Sequence, residues 1–164
     1  MEEKHGYFLE DIEVGMTAIY AKTITDADIV MFAGISGDTN PVHLDANFAV
    51  QTAFKGRIAH GMLSASFIST VLGTRLPGPG CIYLSQSLEF RAPVKAGDTV
   101  TARVTVKDVN PDNKRIVLDT ICTVGDRVVV DGEALLMVSR RAEVLTDSEV
   151  PVQAAAAPRI NAAE

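Results

Sequence analysis

Four long runs rich in β-branched residues, all in the second half of the chain, constrain the fold more than any other feature. Short segments with turn-forming residues separate them, such as Asn110-Pro111-Asp112-Asn113 and Gly125-Asp126. These segments leave no room for crossover helices, so neighbouring strands must run antiparallel. The sequence therefore predicts an antiparallel meander of four strands. The runs are Ile82 to Phe90, Thr99 to Val109, Arg115 to Val124 and Val128 to Arg140.

One segment ahead of these runs has the character of a buried helix. From Met62 to Leu76 apolar residues recur on every side of a helix, and Pro77-Gly78-Pro79-Gly80 ends the pattern. A further strand is predicted at Thr17 to Thr25. The fold class is therefore α+β, with the sheet wrapped around one central helix. Such a sheet has an exposed edge that proteins usually cover or pair, which favours dimerisation.

The length predicts a single domain with irregular ends. The 164 residues suffice for one ordinary domain, which we place at residues 1–141. Within it, residues 1–16 are polar and broken by Gly6 and Gly15, which predicts a loose lead-in segment. Residues 142–164 end in QAAAAPRINAAE, without a periodic apolar face, and predict a mobile tail.

The charge balance argues against several classes of partner. A net charge of −6 and a pI near 5.0 give no electrostatic reason to bind nucleic acid or an anionic membrane. No apolar stretch approaches the roughly 20 residues that cross a bilayer. The N-terminus has acidic residues where a secretory signal has positive charge. We expect a soluble, cytoplasmic protein with neither nucleic-acid nor membrane partners.

The segment from Phe32 to Ala49 holds the best candidates for chemistry, Asp38 and His43. A spacing of five would place the two side chains about 140° apart on a helix and on opposite faces of a strand. Gly37, Asn40 and Pro41 all favour a loop or turn. The sequence therefore predicts a loop that directs a carboxylate and an imidazole into one pocket.

A short helix is predicted to lead into this loop. Thr25 suits the N-cap position, and Asp28 three residues later can complete a capping box. The helix would run from Asp26 to Ile35 and end before Gly37.

This segment resembles the hydratase-2 motif of the MaoC-like family, whose members include R-specific enoyl-CoA hydratases. The similarity covers roughly Leu9 to Arg140. It implies a hot-dog fold, an antiparallel sheet wrapped around a central helix, and a homodimer with active sites at or near the subunit interface. The proportions are similar to those of the short hydratases linked to polyhydroxyalkanoate (PHA) synthesis. The residues that carry the resemblance are FAGISGDTNPVH from Phe32 to His43, then Ala59-His60-Gly61-Met62-Leu63, Ile82-Tyr83-Leu84, Leu88-Glu89-Phe90, Pro93-Val94 and Gly97-Asp98.

The resemblance implies reversible hydration of trans-2-enoyl-CoA to (R)-3-hydroxyacyl-CoA. This reaction needs a base, an acid, and donors for the charge that grows on the thioester oxygen. By resemblance Asp38 and His43 orient one water, and the Gly61 N–H is the oxyanion donor. Asn40 and Ser69 match supporting positions. Which of Asp38 and His43 protonates C2 stays open. Asp38 would be a more effective base near neutrality if it were partly desolvated in an apolar pocket.

Several alternatives remain for these residues. Gly61 also fits a tight turn into the helix, Ser69 also fits a bond to its own helix backbone, and His60 fits either bracing of the loop or contact with substrate. Asp38, His43 and His60 lack metal-ligand spacing, so no metal and no cofactor are predicted. Residues that bind the phosphates of coenzyme A are not assigned; the candidates are Arg57, Arg75, Arg91 and Lys95.

Two other functions fit the same fold. A hot-dog acyl-CoA thioesterase needs one carboxylate and the helix N-terminus but no adjacent His. A non-catalytic acyl-thioester binding module would keep the pocket without turnover. The presence of both Asp38 and His43 favours the hydratase.

Overall fold

The structure, a computed structural model, describes residues 5–147 and contains one antiparallel sheet. The strand order is β1-β4-β5-β6-β2, and the two-residue β3 also pairs with β6. The strands are β1 (Thr17–Thr23), β2 (Ile82–Gln86), β3 (Glu89–Phe90), β4 (Thr99–Asn110), β5 (Arg115–Val124) and β6 (Arg127–Met137). The helices are α1 (Asp26–Ser36), α2 (Pro41–Leu44), α3 (Ala46–Ala49), α4 (Gly61–Thr74) and α5 (Arg141–Asp147), and a 3-10 helix covers Leu9–Asp11.

One face of the sheet packs on α4, the central helix. In β4 the residues Val100, Ala102, Val104 and Val106 are buried, and the residues between them are more exposed. This alternation is the consequence of side chains pointing to opposite faces of a strand. α4 contacts β1, β4, β5 and β6. The predicted α+β fold, with an antiparallel sheet around one helix, is confirmed.

The predicted four-strand meander is wrong for its first strand. β4, β5 and β6 follow one another as expected, but β2 and β3 pair with β6. The reason is that β1 pairs with β4 from Thr17 to Thr23 and β5 pairs with its other side, so β4 has no free edge. The first run therefore lies at the far edge of the sheet.

The first run is also divided into two short strands. Between them, the Ser87 N–H donates to the Glu133 carbonyl at 2.9 Å, and the Ser87 Oγ accepts from the Glu133 N–H at 3.0 Å. A Cβ at Gly132 would lie 1.9 Å from the Ser87 carbonyl oxygen. This close approach of two backbones requires glycine at position 132.

The predicted loose lead-in is wrong for residues 5–16. Leu9 and Ile12 are buried and belong to the hydrophobic core. The N–H groups of Gly6 and Tyr7 donate to the carbonyls of Pro79 and Pro77, each at 2.8 Å. The segment is polar on average, but two apolar residues three positions apart are enough to anchor it.

The predicted mobile tail begins with an ordered helix. α5 covers Arg141–Asp147, and Arg141 donates to both carboxylate oxygens of Asp11 at 2.7 and 2.8 Å. Residues 1–4 and 148–164, which include most of the predicted tail, lie outside the described residues. Among the described helices, none has the length and apolar character needed to cross a membrane. The cytoplasmic location stays a prediction.

α4 nearly matches its predicted bounds, but it is not buried on every side. Met62 is 54% exposed, and Ser66, Ser69 and Gly73 are exposed on the same face. These positions follow the spacing of one helix face. The central helix therefore has an open face in the single chain.

The predicted N-cap of α1 is confirmed. The Asp28 N–H donates to Thr25 Oγ1 at 3.2 Å, and the Thr25 N–H donates to the Asp28 carboxylate at 2.9 Å. These bonds form a capping box, which pairs backbone donors that have no partner inside the helix.

Replacing Asp28 with Asn is expected to lower the free energy of unfolding by about 1 kcal/mol at neutral pH. Hydrogen bonds from Lys22 and Thr25 lower the pKa of the Asp28 carboxyl from 3.8 to about 2. Because the folded pKa lies below the unfolded value, this stabilisation is complete above about pH 4 and is lost as the pH falls towards 2. Urea denaturation should show a wild-type advantage that shrinks across this window. Asp126→Asn, in the exposed β5–β6 turn, is the control, and an equal loss there would contradict the prediction.

Candidate active site

The N-terminal end of α4 opens onto a cavity of about 680 Å³. Its walls are largely apolar and include the rings of Phe32, Phe54 and Phe90. The polar groups on the walls include those of Asp38 and His43. A cavity of this size with a few polar groups is typical of a small-molecule site.

Asp38 lies in the bend that follows α1. Gly37 ends the helix with φ 76°, a left-handed value that glycine adopts without strain. The Asp38 N–H donates to Ser36 Oγ at 3.2 Å, and Asp38 Oδ1 accepts from the Asn40 N–H at 3.2 Å. These bonds orient the carboxylate so that Oδ2 faces His43.

His43 lies on the one-turn helix α2 rather than in an irregular loop, and it is 8% exposed. Its Nδ1 is 2.9 Å from the carbonyl oxygen of Ile58. Because a carbonyl can only accept, Nδ1 must carry the hydrogen. The Nε2 of the neutral ring then presents its lone pair to Asp38.

The predicted convergence of Asp38 and His43 is confirmed. His43 Nε2 and Asp38 Oδ2 are 3.9 Å apart. This distance is too long for a direct hydrogen bond, but it suits two groups that hold one water between them. In the single chain Asp38 does not meet the condition of partial desolvation, since its side chain is 52% exposed against 10% for His43.

His60 braces both candidate residues, which was one of its two predicted alternatives. Its Nε2 donates to the backbone carbonyl of Asp38 at 2.9 Å. Its ring stacks on the His43 ring, with centroids 3.8 Å apart and planes at 29°. The side chain is 2% exposed and also forms part of the cavity wall.

Gly61 is the first residue of α4, and its N–H lies at the cavity wall. Within the described part of the chain this N–H has no acceptor, as expected for the first turn of a helix. A Cβ at Gly61 would lie 2.7 Å from two carbons of the Phe90 ring. Nothing in the sequence pattern indicated that Phe90 packs against Gly61.

Asn40 and Ser69 differ in their relation to the site. Asn40 Oδ1 caps α2 by accepting from the Val42 N–H at 3.2 Å, and its own N–H holds Asp38. It supports both candidate residues, through its backbone as much as through its side chain. Ser69 is exposed on the open face of α4, two turns beyond Gly61, and the single chain does not bring it to Asp38 and His43.

Three of the four proposed phosphate ligands are engaged in other contacts. Arg57 Nε donates to the His43 carbonyl at 2.7 Å, and its Nη2 lies 3.3 Å from Asp26. Arg91 pairs with Glu89 and Asp131, and Arg75 donates to the Ile19 carbonyl. Within the described part of the chain, Lys95 is the one of the four whose side chain has neither a hydrogen bond nor an ion pair.

Ligand-type atoms of Asp38, His43 and His60 lie within 4.8 Å of one another. Two of their nitrogens are already used, His43 Nδ1 at Ile58 and His60 Nε2 at Asp38. The absence of a metal stays a prediction.

Comparison with known proteins identifies the family of this fold and site. The pattern of the MaoC-like domain matches residues 9–129. The chain belongs to the MaoC-like family. The predicted resemblance is therefore confirmed, and this MaoC-like chain includes both candidate catalytic residues within the matched range.

Individual MaoC-like relatives match over most of the chain. An (R)-specific enoyl-CoA hydratase of Rhodospirillum rubrum is 58% identical over 82% of this chain and 94% of that protein. The solved (R)-hydratase PhaJ1 of Pseudomonas aeruginosa is 45% identical with a TM-score of 0.78, over 82% of this chain and 87% of that one. The (R)-hydratase of Aeromonas caviae, described as involved in PHA biosynthesis, is 45% identical with a TM-score of 0.76, over 79% and 98%.

Proposed function

We propose that this protein catalyses the reversible hydration of trans-2-enoyl-CoA to (R)-3-hydroxyacyl-CoA. The observation that carries the proposal is the 3.9 Å approach of His43 Nε2 to Asp38 Oδ2 on the wall of an apolar cavity. The 58% identity to an (R)-specific enoyl-CoA hydratase supports it. Supply of (R)-3-hydroxyacyl-CoA for PHA synthesis is the corresponding proposed role.

In the proposed reaction, Asp38 and His43 hold one water between them. The water oxygen attacks C3 as one of the pair takes a proton from the water. The pair then delivers one proton to C2 and returns to its starting protonation state. Water is thereby added across the double bond, and the reverse steps eliminate it. Any proton that passes through His43 uses Nε2, because Nδ1 donates to Ile58.

In the proposed reaction, the thioester carbonyl of the substrate binds at the N-terminal end of α4. Negative charge grows on its oxygen as C3 is attacked, and the Gly61 N–H is available to donate to it. The positive end of the helix dipole favours the same charge. All of these groups come from the chain itself, so the proposal includes no cofactor.

Turnover of crotonyl-CoA tests the proposal. The purified protein should deplete the absorbance of the conjugated enoyl thioester and form the (R) product, as judged by a chiral assay. Release of free thiol from saturated acyl-CoA would instead indicate a thioesterase. Ligand binding without either product would indicate a binding module.

We also propose a homodimer as the working form. β2 lies at the sheet edge, and its residues Ile82, Tyr83 and Leu84 are 52%, 39% and 42% exposed. The open face of α4 and the half-exposed Asp38 further support coverage by a second subunit. In this dimer, contact with the second subunit would determine where Ser69 lies relative to the site.

Sedimentation should give twice the monomer mass. Leu84→Lys should give a monomer with reduced activity, whereas a monomeric wild type would contradict the dimer.

His60 is expected to act as a positioning residue for the Asp38–His43 pair. His60→Leu removes the donor to the Asp38 carbonyl, and a small displacement of reacting groups costs about 10²-fold in rate. His60→Gln retains a side-chain N–H donor and should recover most of this loss. The effect should fall on kcat with KM nearly unchanged, and thermal unfolding controls for stability. Equal kcat values for the Leu and Gln variants would exclude positioning through this hydrogen bond.

A further inference from the structure

We propose that Lys55 and Lys95 form a phosphate-binding site at the mouth of the cavity, and that this site holds the phosphates of coenzyme A. The proposal rests on the proposed function, because coenzyme A is the carrier of the enoyl group in that reaction. The site extends the proposed function by assigning residues to the phosphates of coenzyme A, for which the sequence alone assigned none.

The turn that bears Lys55 is attached to the active site. Lys55 follows Phe54, whose side chain lines the cavity, and is two residues from Arg57. The Arg57 side chain donates to the His43 carbonyl at 2.7 Å. Lys55 has φ 54°, an uncommon conformation for a residue other than glycine. The turn that bears Lys55 is therefore held next to the active site on both sides, by Phe54 at the cavity wall and by Arg57 at the His43 carbonyl.

Lys95 approaches the same turn from the segment before β4. It follows Val94, which lines the cavity and whose carbonyl accepts from the Ala59 N–H at 2.7 Å. Lys95 Nζ lies 3.9 Å from the position that a Cβ would take at Gly56. Gly56 follows Lys55 in the chain, so the Lys95 ammonium group lies against the turn that bears Lys55.

Both ammonium groups are free to bind an anion. Lys55 and Lys95 are exposed, and within residues 5–147 neither side chain has an ion-pair partner. The nearby carboxylates are engaged: Asp26 with Arg57, and Asp98 with Arg127 and with the backbone N–H of Lys95. Lysine is well suited to phosphate as a compact, mobile point charge.

The overall charge makes local cations necessary for such a ligand. The chain carries a net charge of −6, which opposes the approach of a polyanion. At physiological ionic strength charges act over about 8 Å, so cations at the mouth can override distant acids. Arg91 lines the cavity but is paired with Glu89 and Asp131. Among the described residues, Lys55 and Lys95 are unpaired cations that follow the cavity residues Phe54 and Val94 in sequence.

The test compares Lys55→Ala/Lys95→Ala with Arg103→Ala/Arg115→Ala. The control pair removes the same two positive charges from exposed positions on the outer face of β4 and β5. An exposed ion pair contributes a factor of about two to five, so the lysine variant should raise KM for crotonyl-CoA about 10-fold with kcat nearly unchanged. KM for crotonyl-pantetheine, which lacks the phosphates, should not change, and the control variant should match wild type.

Calorimetry separates this proposal from the hydratase proposal. Coenzyme A and pantetheine are titrated into wild type and both variants, with no turnover required. Weaker binding of coenzyme A by the lysine variant alone supports the site, and added salt should reduce the difference. Equal affinity in all three proteins overturns it, as does an equal loss for pantetheine. The variants are also assayed with crotonyl-acyl carrier protein. If the lysine variant loses activity only with this substrate, the proposal is overturned, because the lysines would then bind a protein carrier. Absence of crotonyl-CoA turnover by wild type contradicts only the hydratase.

Discussion

Replacing Asp38 with Asn is expected to lower kcat for enoyl-CoA hydration by about 10²- to 10⁴-fold, the usual contribution of a positioned acid or base. Asn keeps the shape of the side chain and can still accept from the Asn40 N–H, so the bend should stay intact. It cannot take up a proton from water. The loss should therefore appear in kcat, with KM for crotonyl-CoA changed only slightly.

His43→Ala tests the other half of the pair and should cause a loss of similar size. Groups that act on one water are not independent, so the double variant should be little slower than either single variant. Asp126→Asn, in an exposed turn far from the cavity, should keep the wild-type rate. Additive losses in the double variant would contradict a shared water, and wild-type rates in both single variants would contradict the mechanism.

Replacing Gly61 with Ala is expected to produce the second large effect, a fall in kcat of about 10²- to 10³-fold. The added Cβ lies next to the N–H proposed to bind the thioester oxygen, and it also meets the Phe90 ring at 2.7 Å. Phe90 is 54% exposed and its ring can turn aside, so the free energy of unfolding should change by only about 1 kcal/mol. Steady-state kinetics and urea denaturation measure the two effects separately.

The double variant Gly61→Ala/Phe90→Ala distinguishes the two reasons for glycine at this position. It removes the ring that the Cβ would meet but leaves the methyl group beside the N–H. If the N–H is the oxyanion donor, kcat stays low in the double variant and close to wild type in Phe90→Ala alone. Recovery of kcat in the double variant would show that packing against Phe90 is the only requirement for Gly61.

The sequence predicted those features that depend on a few neighbouring residues. The capping box of Thr25 and Asp28 and the bounds of α4 to within two residues are both confirmed. So is the convergence of Asp38 and His43, because Gly37, Asn40 and Pro41 determine the path of the chain between them. Family resemblance added the roles of these residues, which spacing alone does not define.

Features that depend on distant segments could not be predicted in this way. Strand composition indicates where strands occur, but the partner of β2 depended on which edges were free once β1 had paired with β4. The contact of His60 with both Asp38 and His43 joins segments more than 15 residues apart. The anchoring of Leu9 and Ile12 depended on core surface supplied by the rest of the chain.

The amino-acid sequence by itself determined the fold class, the long strands, the two longest helices and the pair of titratable residues at the site, because short-range backbone preferences and apolar periodicity encode them locally. Only the tertiary structure decided the strand order, the bracing of the pair by His60, the Phe90 contact at Gly61 and the two free lysines beside the cavity. These features arise from packing between segments distant in sequence, and such packing depends on the space and the unpaired groups that the other elements leave.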